Sequence, residues 1–413
     1  MHPIAEHVRR CCWLSSVLAV AVAVPAQAAD AIDTPLGPLT PIVDARLRFE
    51  NVDPHSAAAD AEALTARARL GFETAKVWDT TLLAEGEFTW SPDDHYDSTV
   101  NGHTAYPVVA DPEGAELNRL QLSNTSIAGT TITLGRQRIL LDDQRFVGNS
   151  GWRQNEQTFD ALRLVNRSVE NLTFDVAYVE QVNRVFGPES RQGRYNGDTV
   201  LANAAYRLPV GTLTAFAYRV DIDPIVGVPA AARDSSDTVG ARFAGEHAID
   251  KFTLGYTASY ATQRDAGANP LHFDLDYYLA EISARYLQYS VGAGVEVLQG
   301  DGIKGFSTPL ATLHKFQGWA DKFLTTPADG IDDRYVNAGF ARKRTGPLDA
   351  LSVAVSYHWY DAERGSRAYG EELDAQVQAR WHQFTAALKY ADYRADTLFA
   401  DTTKVWAQLE YVW

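Results

Sequence analysis

The sequence has almost no sulfur. Among its 413 residues the only cysteines are Cys11 and Cys12, and the only methionine is Met1. All three lie in an N-terminal segment that we predict is removed, so the rest of the chain has no thiol, disulfide or cysteine-bound metal. A large exported chain without disulfides must be held together by its own packing or by its surroundings.

The first 28 residues have the features of a secretory signal peptide. Arg9 and Arg10 precede the apolar run CCWLSSVLAVAVAV, and Ala26-Gln27-Ala28 offers a small-x-small cleavage site. The run is too short to cross a bilayer as a helix. We therefore expect residues 1–28 to be cleaved and residues 29–40 to form a short periplasmic segment ahead of a barrel at 41–413.

The chain also lacks a long apolar run and an excess of basic residues. No later segment approaches the roughly 18 apolar residues of a transmembrane helix. The formal charge is −16, which argues against nucleic acid as a partner because nucleic-acid binding needs a basic face. Mean hydropathy is −0.24, although 11% of residues are aromatic. A closed β-barrel is the membrane architecture that this combination allows.

Alternation of apolar and polar residues dominates the chain. Segments of about ten residues show this period of two, which is typical of half-buried strands. The pattern predicts an all-β fold, a transmembrane antiparallel up-and-down barrel of about 18 strands: 41–50, 62–76, 81–91, 117–127, 130–140, 157–167, 171–182, 198–208, 211–222, 237–246, 250–262, 275–287, 289–299, 333–342, 349–361, 371–381, 383–393 and 404–413.

The connections between these segments alternate between short and long. Short ones such as WDTT, SVEN and PVG carry turn residues, whereas 92–116, 141–156 and 300–332 are long. Outer-membrane barrels have short periplasmic turns and long extracellular loops. A soluble β-sandwich has no physical reason to sort its loops in this way.

Parity within each strand predicts which side chains face water inside the barrel. In 371–381, for example, Leu373, Val377 and Trp381 oppose Asp374 and Arg380. A charged side chain at the lipid midplane costs about 2–4 kcal/mol, so the charged face should line the lumen. The predicted pore-lining basic residues are Arg46, Arg48, Arg67, Arg69, Arg119, Arg163, Arg242, Arg285, Arg380 and Lys389, and the acidic ones are Asp44, Glu73, Glu85, Glu87, Asp175, Glu281 and Asp374. Internal salt bridges that only stabilise the lumen are an equal alternative for each of them.

The last residues alternate in the same way and end on an aromatic residue. Leu409, Tyr411 and Trp413 share one face, and this form is that of the insertion signal of outer-membrane barrels. Aromatic residues near strand ends predict the two interfacial girdles; they include Trp78, Trp90, Tyr286, Tyr289, Tyr357, Trp359, Tyr360, Tyr390, Tyr393, Trp406 and Trp413.

Two stretches resemble a known family. Residues 135–164 contain GRQ, DDQRF, GWRQ and FDA, with Arg136, Arg138, Asp142, Asp143, Arg145, Trp152 and Arg153 as the loop motif. Together with 305–333 they resemble the alginate-export family of outer-membrane porins. The resemblance implies an eighteen-stranded channel with an arginine-rich constriction able to pass a polyuronate. Many members of that family are general porins, so the cargo is left open.

The functional prediction is a porin, not an enzyme, in a Gram-negative outer membrane. We expect passive diffusion of uronate-type sugars, oligosaccharides or small organic acids, because arginine binds carboxylates through two parallel bonds. A structural or adhesive barrel is the alternative, and a hydrolase is the least favoured one because no HExxH or GxSxG motif is present. No cofactor or metal is expected. The expected partners are outer-membrane lipids, lipopolysaccharide, the barrel-assembly machinery and the anionic cargo.

Two loop segments allow further expectations. Apolar residues at helical spacing in 312–324 favour a short amphipathic helix that rests on the rim of the pore rather than plugging it. The acidic stretch SPDDHYDS (91–98) offers oxygen ligands to a divalent cation, but it lacks EF-hand spacing, and a solvated loop is the favoured interpretation.

The barrel prediction has a simple solution test. Because the apolar face of every strand points outward, the folded protein should stay in solution only with detergent and should migrate differently on a gel before and after heating. A compact, fully soluble protein in detergent-free buffer would contradict the barrel.

Overall fold

The computed structural model describes residues 32–34, 37–56 and 59–413. The predicted signal peptide at 1–28 lies outside the described residues. No helix in the described part of the chain is long and apolar enough to span a membrane.

Nineteen antiparallel strands make up one sheet. They are β1 Ile32–Thr34, β2 Gly37–Asp53, β3 Ala61–Thr74, β4 Thr80–His95, β5 Gly114–Asn124, β6 Thr130–Gln137, β7 Thr158–Asn166, β8 Leu172–Asn183, β9 Arg194–Leu208, β10 Gly211–Val220, β11 Ser236–Ile249, β12 Phe252–Asp265, β13 Asp274–Tyr286, β14 Tyr289–Leu298, β15 Ile331–Thr345, β16 Leu348–Asp361, β17 Ala368–Trp381, β18 Phe384–Ala395 and β19 Thr402–Val412. A four-residue helix, α1 (Pro229–Ala232), and a 3₁₀ turn at Leu313–Lys315 are the helical elements of the described residues.

Strands β2 to β19 form a closed barrel of eighteen strands. Each pairs with the next along the chain, and β19 pairs with β2, with Tyr411 opposite Ala45. The short β1 lies only against the start of β2. All eighteen predicted segments correspond to one of these strands. The predicted boundary at residue 41 falls inside β2, because Leu39 already pairs with Thr74 of β3.

Connections at the two ends of the barrel differ in length. Those after β3, β5, β7 and the following odd-numbered strands have two to five residues, and those after even-numbered strands have six to 32. We call these the turn end and the loop end. In the first turn, Trp78 and Asp79 both have positive φ, at 49° and 57°, which gives the tight reversal that a two-stranded hairpin requires.

The outer and inner faces have opposite chemistry. Leu70, Leu134, Ile282 and Leu388 are each more than half exposed on the outside, whereas Arg48 on the inside is fully buried. Bulges at Leu64/Ala66 in β3 and at Glu85/Gly86 between β4 and β5 shift the alternation locally. The apolar exterior satisfies lipid, and the polar interior is left for water and for the loops.

Three residues of the predicted aromatic girdles are buried instead. Tyr360, Tyr393 and Trp406 are at most 1% exposed, whereas Trp78 and Trp90 are 92% and 62% exposed. The prediction is wrong for these three because they share parity with lumen-facing neighbours, and their rings pack against loops inside the barrel.

Parity also predicts a stability difference between neighbouring positions. Val377 of β17 points outward and is 44% exposed, whereas Gln376 bonds to Gln378 on the inner face. We expect Val377→Arg to lower the free energy of unfolding in lipid by about 2–4 kcal/mol, measured by urea titration in liposomes. Gln376→Arg is the matched control and should change it far less. Equal losses would contradict the assigned faces.

Candidate functional site: the constricted lumen

The connection between β6 and β7, residues 138–157, folds into the barrel. We call it the constriction loop. Arg46 on the inner face of β2 donates to the carbonyls of Gly151 and Trp152 at 3.0 and 3.1 Å, and Arg48 donates to the Trp152 carbonyl. Earlier in the same loop, the ring of Phe146 packs 5.0 Å from the inward ring of Phe216. The loop is therefore fastened to the wall by inward-facing side chains.

The connection between β14 and β15, residues 299–330, also folds inward. We call it the second inward loop. The backbone N–H of Ala320 donates to Glu372 at 2.7 Å, and that of Trp319 donates to Asp374 at 3.3 Å. Gly318 has φ of 77°, and a Cβ there would meet Glu372 at 2.5 Å, so the backbone lies directly on the wall.

This position corrects two expectations for 312–324. The segment lies inside the lumen rather than on the rim, and only a 3₁₀ turn at Leu313–Lys315 is helical. The apolar spacing has another cause: Phe323 packs on the inward rings of Tyr360 and Tyr369 at 4.6 and 6.0 Å. Apolar residues bind the loop to the wall and do not form one face of a helix.

The two loops are bonded to each other. Gly148 N–H donates to the Leu310 carbonyl at 2.9 Å, and Thr312 N–H donates to the Gln144 carbonyl at 3.1 Å. Arg145 of the constriction loop reaches Glu296 of β14 at 2.6 Å. The loops thus form one body across the lumen, and any open path through the barrel runs beside it.

Arginines and carboxylates alternate on the inner face of β2 to β5. Arg67 pairs with Asp44, Arg69 pairs with Glu87, and Arg119 pairs with Glu85 at 2.6 Å. On β14 to β17 the buried charged groups are instead the carboxylates of Glu296, Asp333, Glu372 and Asp374, and His358 is buried beside them.

Several guanidinium groups retain unused donors. Nη1 of Arg48, Nε and Nη1 of Arg67, and Nε of Arg242 are buried without a hydrogen-bond partner among the described residues. An unsatisfied buried donor costs about 1–3 kcal/mol, more when it is charged. Nη1 of Arg48 is nevertheless 3.6 Å from Asp111, and the side chains of Arg48 and Arg67 are fully buried, so these donors carry positive charge inside the wall and are not open to the lumen.

The remaining predicted positions are dispersed. Arg163 pairs with Asp175 at 2.5 Å and Arg242 pairs with Asp143 at 3.3 Å, both inside. Glu281 accepts from Tyr335 at 2.6 Å. Arg285 pairs with Glu246 at 3.4 Å while more than half exposed, and two others are exposed near the turn end: Glu73 and Arg380.

The loop motif divides at the end of β6. Arg136 shares the outward parity of Leu134 and pairs with Asp160 at 2.7 Å, whereas Arg138, just beyond the strand, turns inward to Glu156 at 2.5 Å. Asp142 accepts from Asn203 at 2.8 Å. Strand parity therefore stops at Gln137, where the strand ends, and Arg138 faces the lumen.

A cluster of charged and aromatic residues lies where both loops meet β18 and β19. Lys389 Nζ is 4.0 Å from the ring of Trp152 and 3.8 Å from that of Trp319, and it donates to His314 Nε2 at 2.8 Å. His314 Nδ1 donates to Asp321 at 2.7 Å. With Lys389 as the donor, Nε2 accepts this hydrogen bond, so the imidazole is neutral and carries its proton on Nδ1.

Removal from water lowers the pKa of His314 to about 3, and the nearby Lys389 ammonium acts in the same direction. Asp321 opposes the shift but does not overcome it. The imidazole is thus neutral at physiological pH and bridges the amine of Lys389 and the carboxylate of Asp321.

A cavity of about 710 Å³ opens above this cluster toward the loop end. Nine charged residues border it, seven basic and two acidic: Arg145, Arg153, Arg184, Arg233, Lys304, Lys322, Lys404, Asp234 and Asp321. Lys304 pairs with Asp234, and Lys404 pairs with Asp321. Among the residues that the structure describes, no salt bridge involves Arg184, Arg233 or Lys322. We call this cavity the vestibule.

Sequence reasoning missed several residues of the site. Glu50 and Glu410 follow inward parity and could have been found from it; Glu410 pairs with Arg46 at 2.7 Å. Glu156, His314 and Asp321 lie in loops, where no periodicity indicates what they contact.

In the acidic stretch 91–98, the side chains of Asp93, Asp94 and His95 bring three potential ligand atoms within 4.8 Å of one another.

No protein-family model matches the chain, and no curated protein matches it either. The resemblance to alginate-export porins therefore gains no support. Solved structures do match: Pseudomonas aeruginosa OpdK with vanillate has a TM-score of 0.70 at 15% identity over 91% of this chain and 98% of that chain. P. aeruginosa OccK9 (OpdG) gives 0.68 at 17% identity, covering 91% and 98%, and OccK2 (OpdF) gives 0.68 at 14%, covering 91% and 97%. At such identities the likeness shows the fold, the eighteen-stranded barrel of outer-membrane porins.

The neutral state of His314 is testable. Because its pKa is lowered to about 3, its ring should stay unprotonated from pH 8 down to at least pH 5, whereas a solvated histidine titrates near pH 6.5. Nitrogen NMR of histidine-labelled protein in detergent would show one ring without a shift over that range. His314→Gln assigns the signal. Titration of that signal near pH 6.5 would contradict the buried bridge.

Proposed function

We propose that this barrel is an outer-membrane channel for the passive diffusion of small anionic solutes. The vestibule carries the proposal: seven of its nine charged border residues are basic, although the whole chain has a formal charge of −16. A low-dielectric cleft with one sign of charge focuses its field and raises the local concentration of oppositely charged solutes.

The unused arginine donors below the vestibule support the same direction of selectivity. Nη1 of Arg48 and Nε and Nη1 of Arg67 lack a hydrogen bond among the described residues, and the charge of these two buried guanidinium groups adds to the positive field that a carboxylate would experience. The neighbouring acids Asp44 and Glu410 share Arg67 and keep any one contact shallow. Several weak sites in sequence favour passage over capture.

The size of the solute follows from the loops. Because both inward loops are fastened to the wall and to each other, an extended polymer has less room than in an open eighteen-stranded barrel. OpdK, which shares the fold, has a structure with vanillate, a small aromatic carboxylate. We therefore favour a small organic acid as the solute. Export of an alginate-like polysaccharide has no supporting observation.

The proposed location is the outer membrane, with the loop end outside the cell. The apolar exterior supports lipid contact, and Trp413 N–H donates to the Val43 carbonyl at 3.0 Å beside the β19–β2 seam. Its position at the closing seam supports a role for Leu409, Tyr411 and Trp413 in barrel assembly. Contacts with lipopolysaccharide and the assembly machinery, and the absence of enzymatic activity, stay predictions.

Ion selectivity tests the function. In planar bilayers under a KCl gradient the wild-type channel should prefer chloride. We expect combined Arg184→Gln, Arg233→Gln and Lys322→Gln changes to lower the chloride-to-potassium permeability ratio by roughly an order of magnitude.

The matched control removes the same charge from the outer wall. Arg264, Arg334 and Arg394 are each more than half exposed and pair with outward carboxylates, so their change to glutamine should leave the ratio nearly constant. A cation-selective wild-type channel, or equal effects of the two triple variants, would refute the proposal.

A further inference from the structure

One carboxylate at the floor of the vestibule is bound like a ligand. Asp321 of the second inward loop accepts from His314 Nδ1 at 2.7 Å, from Lys404 Nζ at 2.9 Å and from Arg153 Nη2 at 3.2 Å. Its side chain is 5% exposed. Two cations and a ring N–H around one carboxylate strongly favour its ionised form.

The cations that bind it belong to other elements. Lys404 lies on β19, Arg153 lies on the constriction loop, and Lys389 of β18 stands behind His314. If Asp321 moved away, these three would remain in place. Arg153 would keep two carboxylates nearby, because Glu50 lies 3.2 Å and Asp111 3.9 Å from its guanidinium group. Lys404 would lose its only salt bridge within the described residues. The result is a preformed anion site open to the vestibule.

The backbone around Asp321 is strained. Gln317 has φ of 49° and Asp321 has φ of 59°; this left-handed region costs about 1–2 kcal/mol for a residue such as glutamine, whereas aspartate adopts it more readily. Interactions of the side chains must hold the segment there. The hydrogen bonds of the Asp321 carboxylate hold it in place. The Trp319 N–H, which donates to Asp374, and the Ala320 N–H, which donates to Glu372, hold it as well.

We propose that Asp321 is a tethered substitute for the carboxylate of the solute: it occupies an anion site formed by Arg153 and Lys404, and an arriving carboxylate displaces it and loosens the second inward loop. This inference rests on the proposed function and adds regulation of the same path. The exchange replaces one carboxylate by another, so neither state leaves the buried cations unpaired. A neutral solute cannot make this exchange.

Benzoate and its neutral analogue benzamide are the probes, with chloride currents of single channels as the readout. In the wild type, benzoate should increase the open-channel conductance in a saturable manner, and benzamide should not. Asp321→Asn removes the competing charge, so the apparent dissociation constant for benzoate should fall by roughly tenfold, because Asp321 no longer has to leave the site before benzoate can bind.

The matched control is Asp329→Asn. Asp329 lies in the same loop, is 40% exposed and pairs with Arg367 at 3.8 Å, so it carries the same charge without contacting the site. Its benzoate response should equal that of the wild type. Equal dissociation constants for Asp321→Asn, Asp329→Asn and the wild type in an anion-selective channel would overturn the tethered-carboxylate proposal alone. Cation selectivity of the wild type would instead overturn the proposed function.

A second measurement does not depend on folding of the variant. Trp152 and Trp319 flank Lys389 beside the site, so their fluorescence reports on movement of the loop. Benzoate added to folded wild-type protein in detergent should change the tryptophan emission with saturation, and benzamide should not. No change with benzoate, or the same change with both compounds, would overturn the proposal even if Asp321→Asn failed to fold.

Discussion

The bonds from the inward arginines of β2 to the backbone of the constriction loop determine the rest of the lumen. Arg46 and Arg48 together reach the carbonyls of residues 151 and 152. Hydrogen bonds from charged donors contribute about 1.5–3 kcal/mol each, which is enough to hold a loop segment against a wall. Once the loop is fixed there, Trp152 stacks on His314 at 4.4 Å, and the second inward loop has a surface to pack on.

The two loops narrow the lumen of a wide barrel. Without them an eighteen-stranded barrel encloses an aqueous channel. With them, most inward charges form pairs with a neighbour on the wall or on a loop, and a few guanidinium nitrogens make no hydrogen bond within the part of the chain that the structure describes. The proposed preference for anions in a strongly acidic chain rests on the vestibule cations that have no salt bridge among the described residues, Arg184, Arg233 and Lys322.

The sequence was sufficient for the barrel but not for its contents. Period-two alternation predicted all eighteen strands, and parity placed Arg67 and Glu87 on the inner face, because the position of a side chain on a strand depends only on its neighbours along the chain. The girdle prediction, which came from aromatic enrichment near strand ends, failed for Trp406, although parity assigns this residue to the lumen. Asp321 could not be found, since its partners come from β19 and from another loop, over 80 residues away for Lys404 and over 160 for Arg153.

Polymer exclusion tests the central claim, that both loops occupy the lumen, most directly. Single-channel conductance would be measured with ethylene glycol oligomers of increasing size on both sides of the membrane. The account predicts that only the smallest oligomers enter the pore and reduce its conductance, because the loops leave a narrow path. Entry of large oligomers, as in an unobstructed eighteen-stranded barrel, would show that the loops lie elsewhere and would contradict the account.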